Sequence, residues 1–121
     1  LEKFDLLKKL QGNGRILVSE PYTYIQLLAL QEKACVVLTD SGGLQEECAV
    51  LGTPRITLRT TTERPETLLE NGGTNILAGV DPGKVYDYFV RSRQRGKSRS
   101  EIPLWDGRTA QRIVSAFTEA K

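Results

Sequence analysis

The segment Thr39-Asp40-Ser41-Gly42-Gly43-Leu44-Gln45-Glu46-Glu47 holds residues whose types and spacing could bind an anion. Cys35-Val36-Val37-Leu38 before it is an apolar run that reads as a buried strand. After it, Leu44, Cys48 and Leu51 recur at i, i+4 and i+7, the spacing of one helix face. Where a strand turns through Ser-Gly-Gly into a helix, the first helical N–H groups lack internal partners and point outward. The helix dipole adds partial positive charge at the same place. Gly42 and Gly43 would allow a sharp turn and close approach of a bulky phosphate. Glu46 and Glu47, further along the helix, offer acceptors for sugar hydroxyls. This chemistry suits a nucleotide diphosphate. The same turn has a plainer use, in which Asp40 or Ser41 merely caps the helix, and the turn by itself leaves both readings open.

The following residues extend the pattern. Gly52-Thr53-Pro54 ends the helix, Arg55-Ile56-Thr57-Leu58 reads as another strand, and Arg59-Thr60-Thr61-Thr62-Glu63-Arg64-Pro65-Glu66 forms a charged loop. Taken together, these blocks resemble the C-terminal domain of non-hydrolysing UDP-N-acetylglucosamine 2-epimerases. Glu20-Pro21-Tyr22-Thr23-Tyr24 is similar to that family's Glu-Pro-x-x-Tyr segment. Trp105-Asp106-Gly107-Arg108, followed by Ala110-Gln111-Arg112-Ile113-Val114, resembles its final Gly-Asp-Gly helix start. The match covers nearly the whole chain in order, and its middle block favours the non-hydrolysing branch over hydrolysing relatives.

The resemblance implies roles. Ser41, Gly42 and Gly43 would hold the UDP diphosphate through backbone N–H groups and the Ser41 hydroxyl, and Glu47 would accept from the ribose hydroxyls. Glu46 would pack or pair locally. Arg59 and Arg64 could face phosphate with their planar donor forks; the alternative is an internal ion pair with Glu63 or Glu66. Thr61 and Thr62 would be loop hydroxyls near the sugar. Uracil would lie near Glu20–Leu27, against Tyr24 and Leu27. Many members carry Phe where this chain has Leu27, so a stacking contribution of about 1 kcal/mol is lost.

The reaction implied interconverts UDP-GlcNAc and UDP-ManNAc by inversion at C2, through UDP elimination to a glycal and re-addition. It needs no cofactor and no metal. The family's acid/base carboxylates and its His belong to the N-terminal domain, so a catalytically dead chain is expected, with the missing domain as partner. Family members are often homodimers. Other readings are a glycosyltransferase of the same architecture, which leaves the 59–66 block unexplained, and a non-catalytic nucleotide-sugar-binding module.

The elements that must position these residues are legible from periodicity. Leu1 to Leu10 reads as a helix with Phe4, Leu6, Leu7 and Leu10 inward, and Arg15 to Ser19 as a strand. Thr23 caps a helix through Glu32 whose apolar face is Tyr24, Leu27, Leu28 and Leu30. Pro65 opens a helix through Leu69, and Thr74 to Leu77 is a strand. Asp81-Pro82 starts a helix with Val85, Tyr88 and Phe89 inward. The last helix runs from Gly107 to Ala120, with Ala110, Ile113, Val114 and Phe117 at core spacing. Short apolar strands alternating with helices indicate an α/β fold: a Rossmann-like doubly wound parallel sheet, with ligands beyond the carboxyl ends of its strands. The resemblance makes it one half of a glycosyltransferase-B-like two-domain enzyme, with residues 1–121 as a C-terminal nucleotide-sugar-binding domain that lacks a preceding strand.

Composition bounds the rest. At 121 residues the chain is one domain of ordinary polarity, and its net charge of +2 names no partner. No apolar run approaches the roughly 20 residues of a membrane span, no secretory signal opens it, and a cytoplasmic setting is expected. Cys35 and Cys48 read as small buried residues rather than a staple. The absence of Met leads us to expect a piece of a longer protein. With no His, no Ser-His-Asp triad and no His metal ligand can form. Arg91, Arg93, Arg95, Lys97 and Arg99 alternate with other residues and invite a nucleic-acid reading. Ser, Gln and Gly separate them and no aromatics interleave, so residues 92–103 read instead as a flexible, solvated basic linker, with no nucleic acid and no membrane as partner.

Overall fold

The computed structural model describes residues 6–119. A parallel sheet of three short strands lies at its centre: β1 (Val37–Thr39), β2 (Arg55–Thr57) and β3 (Asn75–Leu77), ordered β1-β2-β3. Leu38 pairs with Ile56, and Ile56 with Ile76. Around it stand α1 (Leu6–Gln11), α2 (Tyr24–Lys33), α3 (Gly43–Leu51), α4 (Pro82–Arg95) and α5 (Thr109–Glu119), with 3-10 turns at Pro65–Thr67 and Leu69–Asn71. Parallel neighbours need crossovers, and α3 makes the one from β1 to β2. The fold is α/β, as expected.

Local chemistry starts the helices where the sequence indicates. Thr23 and Gln26 form a reciprocal capping box at α2. The Asp81 side chain accepts from the Lys84 N–H at 2.9 Å, with Pro82 in the first turn of α4. Side chains alternate on β2, so Arg55 and Thr57 share one face and Ile56 takes the other; all three are fully buried. Thr57 meets α3 through Asn75 and Gln45. α2 packs on α3, and α4 lies against β2.

Several expectations are corrected. Ile16-Leu17-Val18 forms no strand. The Ile16 N–H donates to the Asn13 carbonyl at 2.9 Å in a turn, and Leu17 is 84% exposed. Apolar composition alone makes no strand where no neighbour supplies a ladder. The helix expected from Pro65 to Leu69 is two 3-10 turns, broken at Leu68, whose φ and ψ of −65° and 147° are extended. Tyr24 and Leu30 are exposed on α2; Leu27 and Leu28 are half-buried, and Gln31 is buried. Cys35 is exposed, while Cys48 is buried and its thiol is pushed up to about 11 by that burial. Leu1 and Phe4, at the start of the expected first helix, and Ala120, at the end of the last, lie outside the described residues.

The basic linker is also different. α4 continues to Arg95, burying Ser92, and the chain after it is stitched to the domain. The Ser98 N–H donates to the Gly52 carbonyl at 3.1 Å, Ser100 Oγ to the Ala49 carbonyl at 2.5 Å, and the Glu101 N–H to the Gly72 carbonyl at 2.8 Å. Lys97 Nζ donates to the Glu32 carbonyl near the end of α2. Ile102 is buried. Two glycines permit this close crossing: Gly52 and Gly72 have φ of 70° and 87°, and a Cβ would meet the Ser98 and Glu101 carbonyl oxygens at 2.5 and 2.8 Å. The charge pattern signalled solvent but not the backbone that lies under it.

α5 stands apart in character. Ile113, Val114 and Phe117 are 51%, 62% and 77% exposed, so its apolar face meets no core among the described residues. It is tied to its own approach: Arg112 NH1 lies 2.9 Å from both Asp106 oxygens, and Arg112 NH2 donates to the Leu104 carbonyl at 2.7 Å. The Arg108 backbone N–H and then Arg112 hold the Asp106 carboxyl below its ordinary range.

Candidate functional site

Both sequence-predicted loops fall at the carboxyl ends of β1 and β2, where a parallel sheet presents its ligand edge. Thr39 ends β1, and its Oγ1 accepts from the Ser41 N–H at 3.1 Å. Gly42 is the N-cap of α3, with φ −63° and ψ −47° and no side-chain cap hydrogen bond. The capping alternative for Asp40 and Ser41 is therefore not what the structure adopts. Gly42 is right-handed, and Gly43 is not among the glycines of positive φ, so neither is needed for an unusual backbone. At Gly43 an added Cβ would meet no protein atom within 4 Å. What remains as the reason for glycine here is access from outside the chain.

Glu47 lies on the α2 side of α3. Gln31 Nε2 donates to Glu47 Oε2 at 2.6 Å, and Cys48 Sγ donates to Gln31 Oε1 at 3.2 Å. Thr53 Oγ1 donates to the Gln31 carbonyl at 3.0 Å. Gln31 is thus fixed from three directions and holds one carboxylate oxygen of Glu47 with a neutral partner. The other carboxylate oxygen is left for further hydrogen bonds.

The charged loop folds back on α3. Arg64 Nε lies 2.9 Å from Glu46 Oε1, so Glu46 pairs locally, as expected, and Arg64 pairs with it instead of with Glu63 or Glu66. Arg59 NH1 lies 3.5 Å from Glu63 Oε1. Both pairs are exposed enough to exchange a partner at little cost. Thr61 is exposed. Thr62 is turned inward and docks the loop: its Oγ1 donates to Gln45 Oε1 at 2.6 Å and accepts from the Arg64 N–H at 2.9 Å. Tyr24, 61% exposed, and Leu27 belong to the first turns of α2, apart from the turn after β1 in sequence and on a separate element.

Three residues to which the sequence reading gives no role, one of them inside the motif itself, hold this end together. Gln45 is fully buried, and its Oε1 accepts from Thr62 Oγ1, from Asn75 Nδ2 at 3.0 Å and from Thr67 Oγ1 at 3.3 Å. Gln31 orients Glu47. Arg55, fully buried on β2, donates from NH2 to the Ser41 carbonyl at 2.6 Å. Gln31 had a signal, since it follows Leu27 and Leu28 at i+4 and i+3 on the inward face of α2. Arg55 had one too, a charge opening an apolar strand.

Comparison with known proteins agrees with this geometry. A family profile described as UDP-N-acetylglucosamine 2-epimerase matches residues 2–118. The chain is 42% identical to the UDP-N-acetylglucosamine 2-epimerase of Methanococcus maripaludis, over 100% of this chain and 32% of that protein. The solved UDP-GlcNAc 2-epimerase of Methanocaldococcus jannaschii superposes with a TM-score of 0.82 at 41% identity, covering 98% of this chain and 32% of the other. A second structure of that enzyme, in complex with UDP-GlcNAc and UDP, gives 0.79 at the same identity and coverage. The chain therefore spans about a third of the length of these relatives. Sequence match, parallel α/β fold and the placement of the motif loops converge: the chain belongs to the UDP-N-acetylglucosamine 2-epimerase family.

Proposed function

We propose that this chain is the UDP-binding half of a glycosyltransferase-B-like enzyme that interconverts UDP-GlcNAc and UDP-ManNAc. The observation that carries this is the start of α3: an uncapped helix N-terminus at the ligand edge, with Ser41 exposed and open space over Gly43. The relative crystallised with UDP-GlcNAc and UDP shares this fold over 98% of the chain. In this reading the Ser41 hydroxyl and the backbone N–H groups of Gly42 and Gly43 bind the diphosphate. Glu47, held by Gln31, accepts from the ribose. Arg59 and Arg64 swing from Glu63 and Glu46 toward phosphate, and Leu27 and Tyr24 flank the uracil.

During inversion a base takes the C2 proton, the C1–O bond to UDP breaks, and a glycal forms. UDP then adds back at C1 as C2 is reprotonated from the opposite face. Negative charge grows on the diphosphate as it departs, and the α3 N-terminus is placed to stabilise it. The proton-transfer groups come from the part of the enzyme beyond this chain, so the chain alone has no epimerase activity.

Gly43→Val tests the turn in the full-length enzyme. The new Cβ enters open space and the backbone φ is not positive, so the fold should survive, yet the side chain occupies the approach to the turn. A KM for UDP-GlcNAc raised at least tenfold with unchanged thermal stability supports the reading. Unaltered KM and kcat would overturn it, as would epimerisation by the chain alone.

A further inference from the structure

Arg55 is the most unusual buried group of the molecule. It begins the central strand, with no exposed surface. NH2 reaches the Ser41 carbonyl at 2.6 Å and lies 3.5 Å from the Thr39 carbonyl. Nε and NH1 are buried and find no hydrogen-bond partner, and no carboxylate pairs with the guanidinium, among the described residues. Burying a cation that no carboxylate pairs with directly is costly, by several kcal/mol in general, and the Asp40 carboxylate on the same turn favours the charge only from beyond contact. Burial lowers the Arg55 pKa to about 10, which still leaves it charged at neutral pH.

The position of that charge explains why it is retained. It sits directly beneath the turn whose carbonyl it holds, on the protein side of the α3 N-terminus. Arg55 is fully buried, and a buried charge is screened less than one in solvent, so its field acts on the turn more strongly than a surface charge would. We propose that Arg55 is the buried counter-charge and positioning residue of the anion site. By binding the Ser41 carbonyl it sets the orientation of the turn, and the incoming diphosphate balances its charge across the backbone without touching it. This inference rests on the diphosphate reading of the Ser41–Gly43 turn. A purely structural tie would hold the loop equally well with an uncharged donor.

The experiment compares full-length wild type with Arg55→Lys, Arg55→Gln and Arg55→Met, titrated with UDP and with uridine by calorimetry at low and high salt. Arg55→Gln and Arg55→Met should weaken UDP by about tenfold at low and at high salt alike, because a buried charge is little screened, and leave uridine within about twofold. Arg55→Lys should keep most of the UDP affinity. Equal loss for UDP and uridine, no loss for UDP, or no advantage of Lys over Gln would overturn the proposal. Should the neutral variants not fold, the wild-type protein still decides. Its Arg55 Nε–H resonance should shift with UDP and not with uridine, and an unmoved resonance in the UDP complex would refute the role. A wild type that binds uridine as well as UDP would instead refute the diphosphate turn itself.

Discussion

Around the turn after β1 the buried side chains are polar; along α5 the exposed side chains are apolar. At the first site Gln45, Arg55, Thr57, Thr67 and Asn75 have no exposed surface to speak of, and hydrogen bonds tie each to a neighbour. At the second, Ile113, Val114 and Phe117 form a helical stripe with no core beneath it among the described residues. The difference separates two uses of a side chain. Polar burial at the sheet edge costs desolvation and gives geometry: it fixes the turn that carries Ser41, the helix that carries Glu47 and the loop that carries Arg64. The amphipathic period of α5 sets which face would be buried, and says nothing about which surface covers it.

Replacing Gln45 with Leu is the sharpest attack on the polar side of this contrast. It removes the acceptor of the Thr62 hydroxyl and the Asn75 amide, while the Thr67 hydroxyl keeps the Arg64 carbonyl at 2.7 Å, and should cost about 3 kcal/mol in urea unfolding. A loss below about 1 kcal/mol would mean that the cluster is not cohesive. Gln31→Leu is milder. It removes the donor to Glu47 and should cost about 1–2 kcal/mol, with UDP affinity falling several-fold. A double-mutant cycle with Glu47→Gln should show that most of the affinity loss passes through Glu47; additive losses would show that it does not.

Alkaline pH probes the same buried edge. Burial raises the Cys48 thiol from 9.0 to about 11, so the neutral thiol is favoured in the fold. Its contribution is intact below about pH 9 and is lost as pH rises toward 11. Arg55, lowered to about 10, acts in the opposite sense above that pH, because there the unfolded chain holds the proton longer. Between pH 9 and 10 the wild type should therefore lose more stability than Cys48→Ala, and equal losses would remove Cys48 from the account. Thiol alkylation at neutral pH should label exposed Cys35 and spare Cys48 until the protein unfolds. The smallest effect belongs to α5. Phe117→Ser should change the stability of this chain by no more than about 0.5 kcal/mol, and a loss above about 1.5 kcal/mol would show that its apolar face is covered within the chain.

The parallel strands, the Thr23 and Asp81 caps and both motif loops are legible in the sequence because each rests on local chemistry. The inward side of α3 is only partly so. The period finds Cys48, but Gln45 is buried beside it where Thr62 and Asn75, distant in sequence, donate to its Oε1, a convergence that no local window contains. Ile16-Leu17-Val18 has strand composition without a strand, since pairing is not a property of the segment. Residues 96–102 look like a solvated linker because the charged side chains among them are exposed, while Ile102 is buried and the backbone is pinned at Gly52 and Gly72. The two glycines of the turn are misread in kind: their backbone is ordinary, and only the open space over Gly43 distinguishes that position.

The most direct test of the diphosphate turn is a titration of the isotopically labelled chain with UDP, following backbone amides by NMR, with uridine as control. The account predicts shifts at Ser41, Gly42, Gly43 and Glu47 with UDP, and at most small changes near Tyr24 and Leu27 with uridine. A well-dispersed spectrum in which saturating UDP leaves Ser41, Gly42 and Gly43 unmoved would contradict it.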